Sequence, residues 1–143
     1  MNKENLIVTS EMVQGLAIMC QKILIEKEFV CKDMIREYYI KFDTIGKLDK
    51  EPLVAATSVD NNDIPYMLFR NTMVINEARE LVAHESVHLA QIFNGYYMPG
   101  FNYTTWYGAK IEKNANNDPN YKDMPWEEEA IMWAEIIIYE LKK

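Results

Sequence analysis

Cysteine is scarce in this chain. Only Cys20 and Cys31 occur in 143 residues, without CxxC spacing, and two thiols are too few for a disulfide framework. The expectation is two reduced thiols, buried as small hydrophobes, in a cytoplasmic protein. Positive charge is also in deficit: 15 Lys and Arg stand against 22 Asp and Glu, a net charge of -7. That balance disfavours a nucleic-acid backbone and an anionic membrane surface as partners. No apolar stretch is long enough to span a bilayer. The segment from Met12 to Ile25 is broken by Gln14, Gln21 and Lys22 and preceded by Glu4 and Glu11, so it does not read as an export signal. Met19 also stands before Cys20 where a lipoprotein signal needs a small residue. Internal repeats and low-complexity linkers are missing too. What remains is an ordinary globular balance, 49% hydrophobic and 26% charged, which suggests one domain over residues 1–143.

Periodicity divides that domain into helices and strands. Met12, Leu16, Met19, Ile23 and Val30 recur at helical spacing behind Ser10, a suitable N-cap, which predicts a helix over 10–30. Tyr38 to Ile45 alternates and is rich in strand formers, and Gly46 to Lys50 reads as a turn. Leu53 to Val59 and Tyr66 to Ile75 form a strand pair around the turn signal Asp60-Asn61-Asn62-Asp63. From Asn76, a candidate cap, to Phe93 the pattern is helical and apolar on more than one face, and Gly95 can end it left-handed. Residues 96–125 read as an irregular connection rich in aromatics: Tyr96, Tyr97, Phe101, Tyr103, Trp106, Tyr107 and Tyr121. Loops this long are uncommon unless they carry function. Pro125 then opens a last helix running to Leu141.

Histidine is as scarce as cysteine: the chain has two, and both fall in His84-Glu85-Ser86-Val87-His88. Residues four apart share one face of a helix, so both imidazoles can reach one metal ion. Glu85, one step round from His84, can take a proton from a water that the metal activates. The HExxH pattern therefore suits zinc-assisted hydrolysis of a polarised carbonyl. The bland alternative is a pair of core or surface histidines holding no ion.

Zinc in a catalytic site takes three protein ligands and keeps a position open. The extension HExxHxxGxxH is absent, since Gln91 and Asn94 fill the later positions. The best source of a third ligand is Pro125-Trp126-Glu127-Glu128-Glu129-Ala130. Ala130, Ile131, Ala134, Ile138 and Leu141 make one apolar face, and Glu127 extends it, whereas Glu129 points nearly opposite and Glu128 groups with Glu135 and Tyr139. A ligand must face the interior, which selects Glu127, and Ala130 and Ala134 would let the two helices approach closely. All three acids would in any case stabilise a helix N-terminus. Gln91, one turn beyond His88, is placed to orient a ligand or line a cleft. Tyr103 or Tyr107 could stabilise an oxyanion, or belong to a loop mini-core.

The combination of His84-Glu85-x-x-His88 with Glu127-x-Glu129-Ala130-x-x-Trp133-Ala134 resembles the small gluzincin-type metallopeptidases, in particular ImmA/IrrE-like proteases and short phage- or prophage-encoded predicted peptidases ending in a PWExEA motif. The resemblance covers roughly residues 66–141. It implies an α+β, minimal zincin-like domain: an N-terminal helix, a short three-stranded sheet, the motif helix and a C-terminal ligand helix. It also implies Zn2+ held by His84, His88 and a glutamate of the last helix, with Glu85 as base. The thermolysin-like arrangement puts that glutamate directly before the alanine, at Glu129, but the acid expected four residues on is replaced by Ile131 or Trp133. Glu127 and Glu129 thus remain open at this level.

The expected function is a cytoplasmic zinc-dependent peptidase acting on a peptide or protein, with the strand near Tyr66 to Ile75 as a sheet edge on which an extended substrate could pair. The alternative is a non-catalytic binding module on the same scaffold, such as a phage-encoded regulator that grips one host protein. Neither reading specifies a target or an oligomeric state.

Overall fold

The structure is a computed structural model that describes residues 6–43, 55–100, 103–112 and 123–143. The turn expected at Gly46 to Lys50, and Phe101 and Tyr121, lie outside those residues. Among the described residues the architecture is α+β: three helices and two small sheets. Helix α1 spans Ser10–Glu26 and α2 spans Ile75–Asn94. Helix α3 spans Pro125–Leu141. The first sheet contains β1 (Tyr39–Asp43), β2 (Ala55–Val59) and β3 (Pro65–Arg70). The second contains β4 (Tyr97–Met98), β5 (Tyr103–Trp106) and β6 (Ala109–Glu112).

In the first sheet the order is β1-β3-β2, so β3 is central and is not the edge that its sequence suggested. β1 runs parallel to it, with Phe42 opposite Phe69. β2 runs antiparallel, with Thr57 opposite Met67. A hairpin joins β2 to β3 through the expected turn. Asp60 Oδ1 accepts the backbone N–H groups of Asn62 (2.8 Å) and Ile64 (3.0 Å), and Oδ2 accepts Tyr39 O–H at 3.0 Å. A carboxylate that satisfies turn amides in this way fixes the register of both strands.

Helix α2 is the centre of the molecule. Every residue from Glu85 to Phe93 is buried, because the first sheet, α1, α3 and β4 all pack on it. A helix apolar on several faces needs such surroundings. Its start differs from expectation: the cap position is Val74 rather than Asn76, and no side chain caps it. Instead Ile75 N–H donates to Leu6 O at 2.9 Å, where the N-terminal segment forms a bridge at Ile7 and Val74. Its end is as expected, with Gly95 at φ +85° and its N–H on Ile92 O. Asn94 Nδ2 also donates to Phe29 O, tying this end to the segment after α1.

Two helix faces are rotated from their expected positions. Helix α1 is shorter than 10–30, is capped by Thr9 Oγ1 rather than by Ser10, and buries Val13, Ala17, Cys20 and Leu24. Met12 and Met19 are exposed. Two adjacent apolar stripes compete on this helix, and the one with small Ala17 and Cys20 allows closer approach to α2. In α3 the buried set is Trp126, Glu127, Ala130, Ala134 and Ile137, while Ile131 is exposed. Trp133 packs instead on Phe29 across to the end of α1, with centroids 4.7 Å apart.

The connection expected to be irregular holds the second sheet. β5 and β6 form a hairpin over Tyr107 and Gly108, at φ +50° and +82°. Two successive positive φ values suit a two-residue hairpin turn, and glycine at the second favours it. Cys20 is fully buried, which pushes its thiol up to about 12, but Cys31 is exposed, contrary to expectation. No described helix is long and apolar enough to cross a membrane.

Candidate metal centre

His84 and His88 lie one turn apart on α2, their rings 4.8 Å between centroids and nearly perpendicular. Both turn Nε2 towards the same carboxylate. His84 Nε2 is 2.9 Å from Glu127 Oε2, and His88 Nε2 is 2.9 Å from Glu127 Oε1. Glu127 comes from the first turn of α3, where Ala130 and Ala134 leave room for that helix to lie against α2. Glu127 and His88 are about 4% exposed, so neither charge nor ring is solvated by bulk water. Burying such groups costs several kcal/mol unless they pair, and removing one partner of a buried pair costs about 3–5 kcal/mol.

Glu85, next to His84 in the chain, brings a second carboxylate to the pair. Its carboxylate has an oxygen that forms, with one nitrogen from each imidazole, a group of donor atoms all within 4.8 Å of one another. The partner of this carboxylate is Thr57 of β2, whose hydroxyl donates to Glu85 Oε1 at 2.7 Å. A longer contact of the same hydroxyl runs to Glu85 O at 3.3 Å. Two carboxylates are therefore candidates to complete a ligand set. Glu127 touches both imidazoles directly, and Glu85 is held at one oxygen by a strand, so Glu127 has the better geometry for a ligand. Two imidazole nitrogens and a carboxylate form a borderline N/O donor set, which suits zinc and other late divalent ions.

The remaining acids of the PWEEEA segment separate cleanly. Glu128 is exposed. Glu129 does not point away from α2, as the helical wheel indicated. It accepts Gln91 Nε2–H at 3.0 Å and Tyr96 O–H at 2.5 Å. Both acids near the start of α3 reach α2 and the strand after it: Glu127 meets His84 and His88, and Glu129 meets Gln91 and Tyr96. Gln91 itself is fully buried, with Oε1 2.8 Å from His88 Nδ1 and Nε2 3.1 Å from Trp126 O.

Tyr103 and Tyr107 lie on the surface, the first under Lys110 Nζ and the second stacked on Tyr96. The tyrosine that packs on a motif histidine is Tyr97, on β4, with its ring 5.4 Å from that of His88. It is 6% exposed and also packs on Trp126. Burial, and then the negative charges of Glu127 and Glu85, push its phenol well above the usual range, so at neutral pH it is a proton donor. Thr57 and Tyr97 were not singled out from sequence. Thr57 had a signal, a hydroxyl at an inward position of a strand whose neighbouring inward position is Ala55. Tyr97 had none that separated it from six neighbouring rings.

The ionisation of the pair has a measurable consequence. Burial alone would lower the His88 pKa, but the bond to Glu127, the charges of Glu85 and Glu127 and the bond to Gln91 outweigh it and raise it to about 9. Glu127 is also buried, yet its bonds to His84 and His88 hold it well below the usual carboxylate range. In the ion-free protein His88 therefore carries a proton at pH 7, and a metal ion bound at its Nε2 would have to displace it. Calorimetry in buffers of different ionisation enthalpy should count about one proton released by this histidine per ion bound, with affinity rising about tenfold per pH unit between pH 7 and 9. Uptake without proton release would contradict this assignment. For folding of the stripped protein the sign is opposite. The contribution of His88 is complete below its unfolded pKa near 6.5 and is lost as pH rises through about 9.

No protein-family model, no curated protein and no solved structure matches this chain. The class of the site rests on its own geometry: a histidine-carboxylate group able to hold a metal ion.

Proposed function

We propose that this protein is a zinc-dependent peptidase of minimal zincin-like architecture, with His84, His88 and Glu127 as ligands and Glu85 as general base. The observation that carries this reading is the convergence of two imidazole Nε2 atoms on the two oxygens of one buried carboxylate, each at 2.9 Å. A zinc ion held there supplies Lewis acidity to a scissile carbonyl and lowers the pKa of a water molecule. Glu85 takes the proton of the attacking water and passes it to the leaving amine. Thr57 restricts Glu85 by holding one of its oxygens, leaving the other for that proton. Tyr97, neutral and buried beside His88, donates a hydrogen bond to the oxygen on which charge develops.

β2 supports the choice of a peptide substrate. Among the described residues it has only β3 as a sheet neighbour, and Thr57 at its centre touches Glu85. An extended peptide added to its free edge would lie along the catalytic acid, with main-chain hydrogen bonds supplying affinity. The resemblance to gluzincin-type peptidases, including ImmA/IrrE-like and phage-encoded ones, and a cytoplasmic location fit this reading. Mass-spectrometric profiling of a complex peptide mixture, with zinc-loaded and chelated protein side by side, tests it: cleavage is expected only with zinc. Tyr97→Phe should retain the ion and lose about 10²–10³-fold in kcat, the cost of one oxyanion donor. Unchanged turnover would remove Tyr97 from the mechanism.

A further inference from the structure

Gln91 is a fully buried amide on α2, and both ends of it have partners. Both Nε2 hydrogens have acceptors, Trp126 O at 3.1 Å and Glu129 Oε1 at 3.0 Å. Turning the amide over would set its oxygen against a carbonyl and a carboxylate, so the orientation is fixed by chemistry. That leaves Oε1 as the atom facing His88 Nδ1, at 2.8 Å. An amide oxygen only accepts, so Nδ1 must carry the hydrogen. With Nδ1 held protonated, the hydrogen an ion would displace is the one on Nε2, which now faces Glu127, and the lone pair it frees lies at that atom. The acceptor behind Gln91 is itself held, since Tyr96 O–H donates to the same Glu129 oxygen.

We propose that Gln91 is a positioning residue of the metal centre: oriented by Trp126 O and Glu129, its amide fixes His88 as the Nδ1–H tautomer and aims Nε2 at the ion shared with His84 and Glu127. This rests on the reading of the site as a metal centre. It adds a function for Glu129, the third glutamate of the PWEEEA segment, which holds the amide rather than the ion. Partners that orient a ligating histidine in this way are worth about 10–100-fold in metal affinity.

The test uses full-length wild type, Gln91→Met and Gln91→Glu, with zinc affinity measured by chelator competition and folding monitored by circular dichroism. Methionine keeps length and volume without an acceptor, whereas glutamate, sharing one proton with Glu129, keeps an acceptor at Nδ1. Gln91→Met should bind zinc about 10–100-fold more weakly than wild type, and Gln91→Glu more tightly than Gln91→Met. In zinc-loaded, 15N-histidine-labelled protein, the two histidines of the chain give a spectrum of two imidazoles. A His88 Nδ1–H proton protected from water should be visible in wild type and Gln91→Glu and exchange-broadened in Gln91→Met. Equal affinities with an unchanged Nδ1–H signal overturn the proposal, as does equally weak binding by both variants, which would make the residue a matter of packing. Failure of the wild type to bind zinc at all would instead sink the metal-centre reading beneath it.

Discussion

Glu85→Gln is expected to keep its zinc and lose hydrolysis. The substitution is close to isosteric, and an amide oxygen can still accept the Thr57 hydroxyl that now meets Glu85 Oε1 at 2.7 Å. The two imidazoles and Glu127 are untouched, so metal content measured by mass spectrometry should remain that of the wild type. An amide cannot take a proton from water, and loss of a positioned general base costs about 10²–10⁴-fold. Cleavage at the wild-type rate by the zinc-loaded variant would exclude Glu85 as base. A biological effect that survives the change undiminished would favour the binding-module alternative, because gripping a partner does not require that acid.

Glu127→Ala and Glu129→Ala should separate by their metal content. The first removes the carboxylate that faces both Nε2 atoms, and zinc affinity should fall by more than about 100-fold, beyond what loss of an outer partner costs. The second leaves His84, His88 and Glu127 in place and removes one of two acceptors from Gln91 Nε2, so affinity should fall only about tenfold. Stripped Glu127→Ala also tests the pairing itself. It leaves a buried imidazole without its counter-charge, a change worth about 3–5 kcal/mol in buried pairs, readable by denaturant titration. Loss of zinc from Glu129→Ala alone would reverse the assignment and favour the thermolysin-like placement.

The arrangement of the candidate site was more legible than the fold around it. Spacing alone put His84, Glu85 and His88 on one helix, because four residues make about one turn and nothing in the surroundings alters that. Glu127 was reachable because small residues at Ala130 and Ala134 marked the face of α3 that approaches another helix. The faces of α1 were ambiguous for a physical reason. Met12 and Val13 begin parallel apolar stripes, and flexible methionines tolerate exposure, so the choice was made by the close packing of Ala17 and Cys20 against α2. The second sheet was hidden because its strands are short and its alternation in Tyr103-Thr104-Thr105-Trp106 lies within an aromatic-rich run. Only the Tyr107-Gly108 pair signalled a hairpin. The edge position of β2 follows from the parallel pairing of β1 with β3, a long-range relation that local pattern does not contain.

The groups that converge on the candidate ion are far apart along the chain. Thr57, which holds Glu85, comes first, the two imidazoles follow almost thirty positions later, and the closing carboxylate arrives only with α3. During synthesis the histidine pair therefore emerges well before Glu127 does. Until α3 is made and docks, the two imidazoles lack the carboxylate that faces both Nε2 atoms, so the group closes late, whatever it holds.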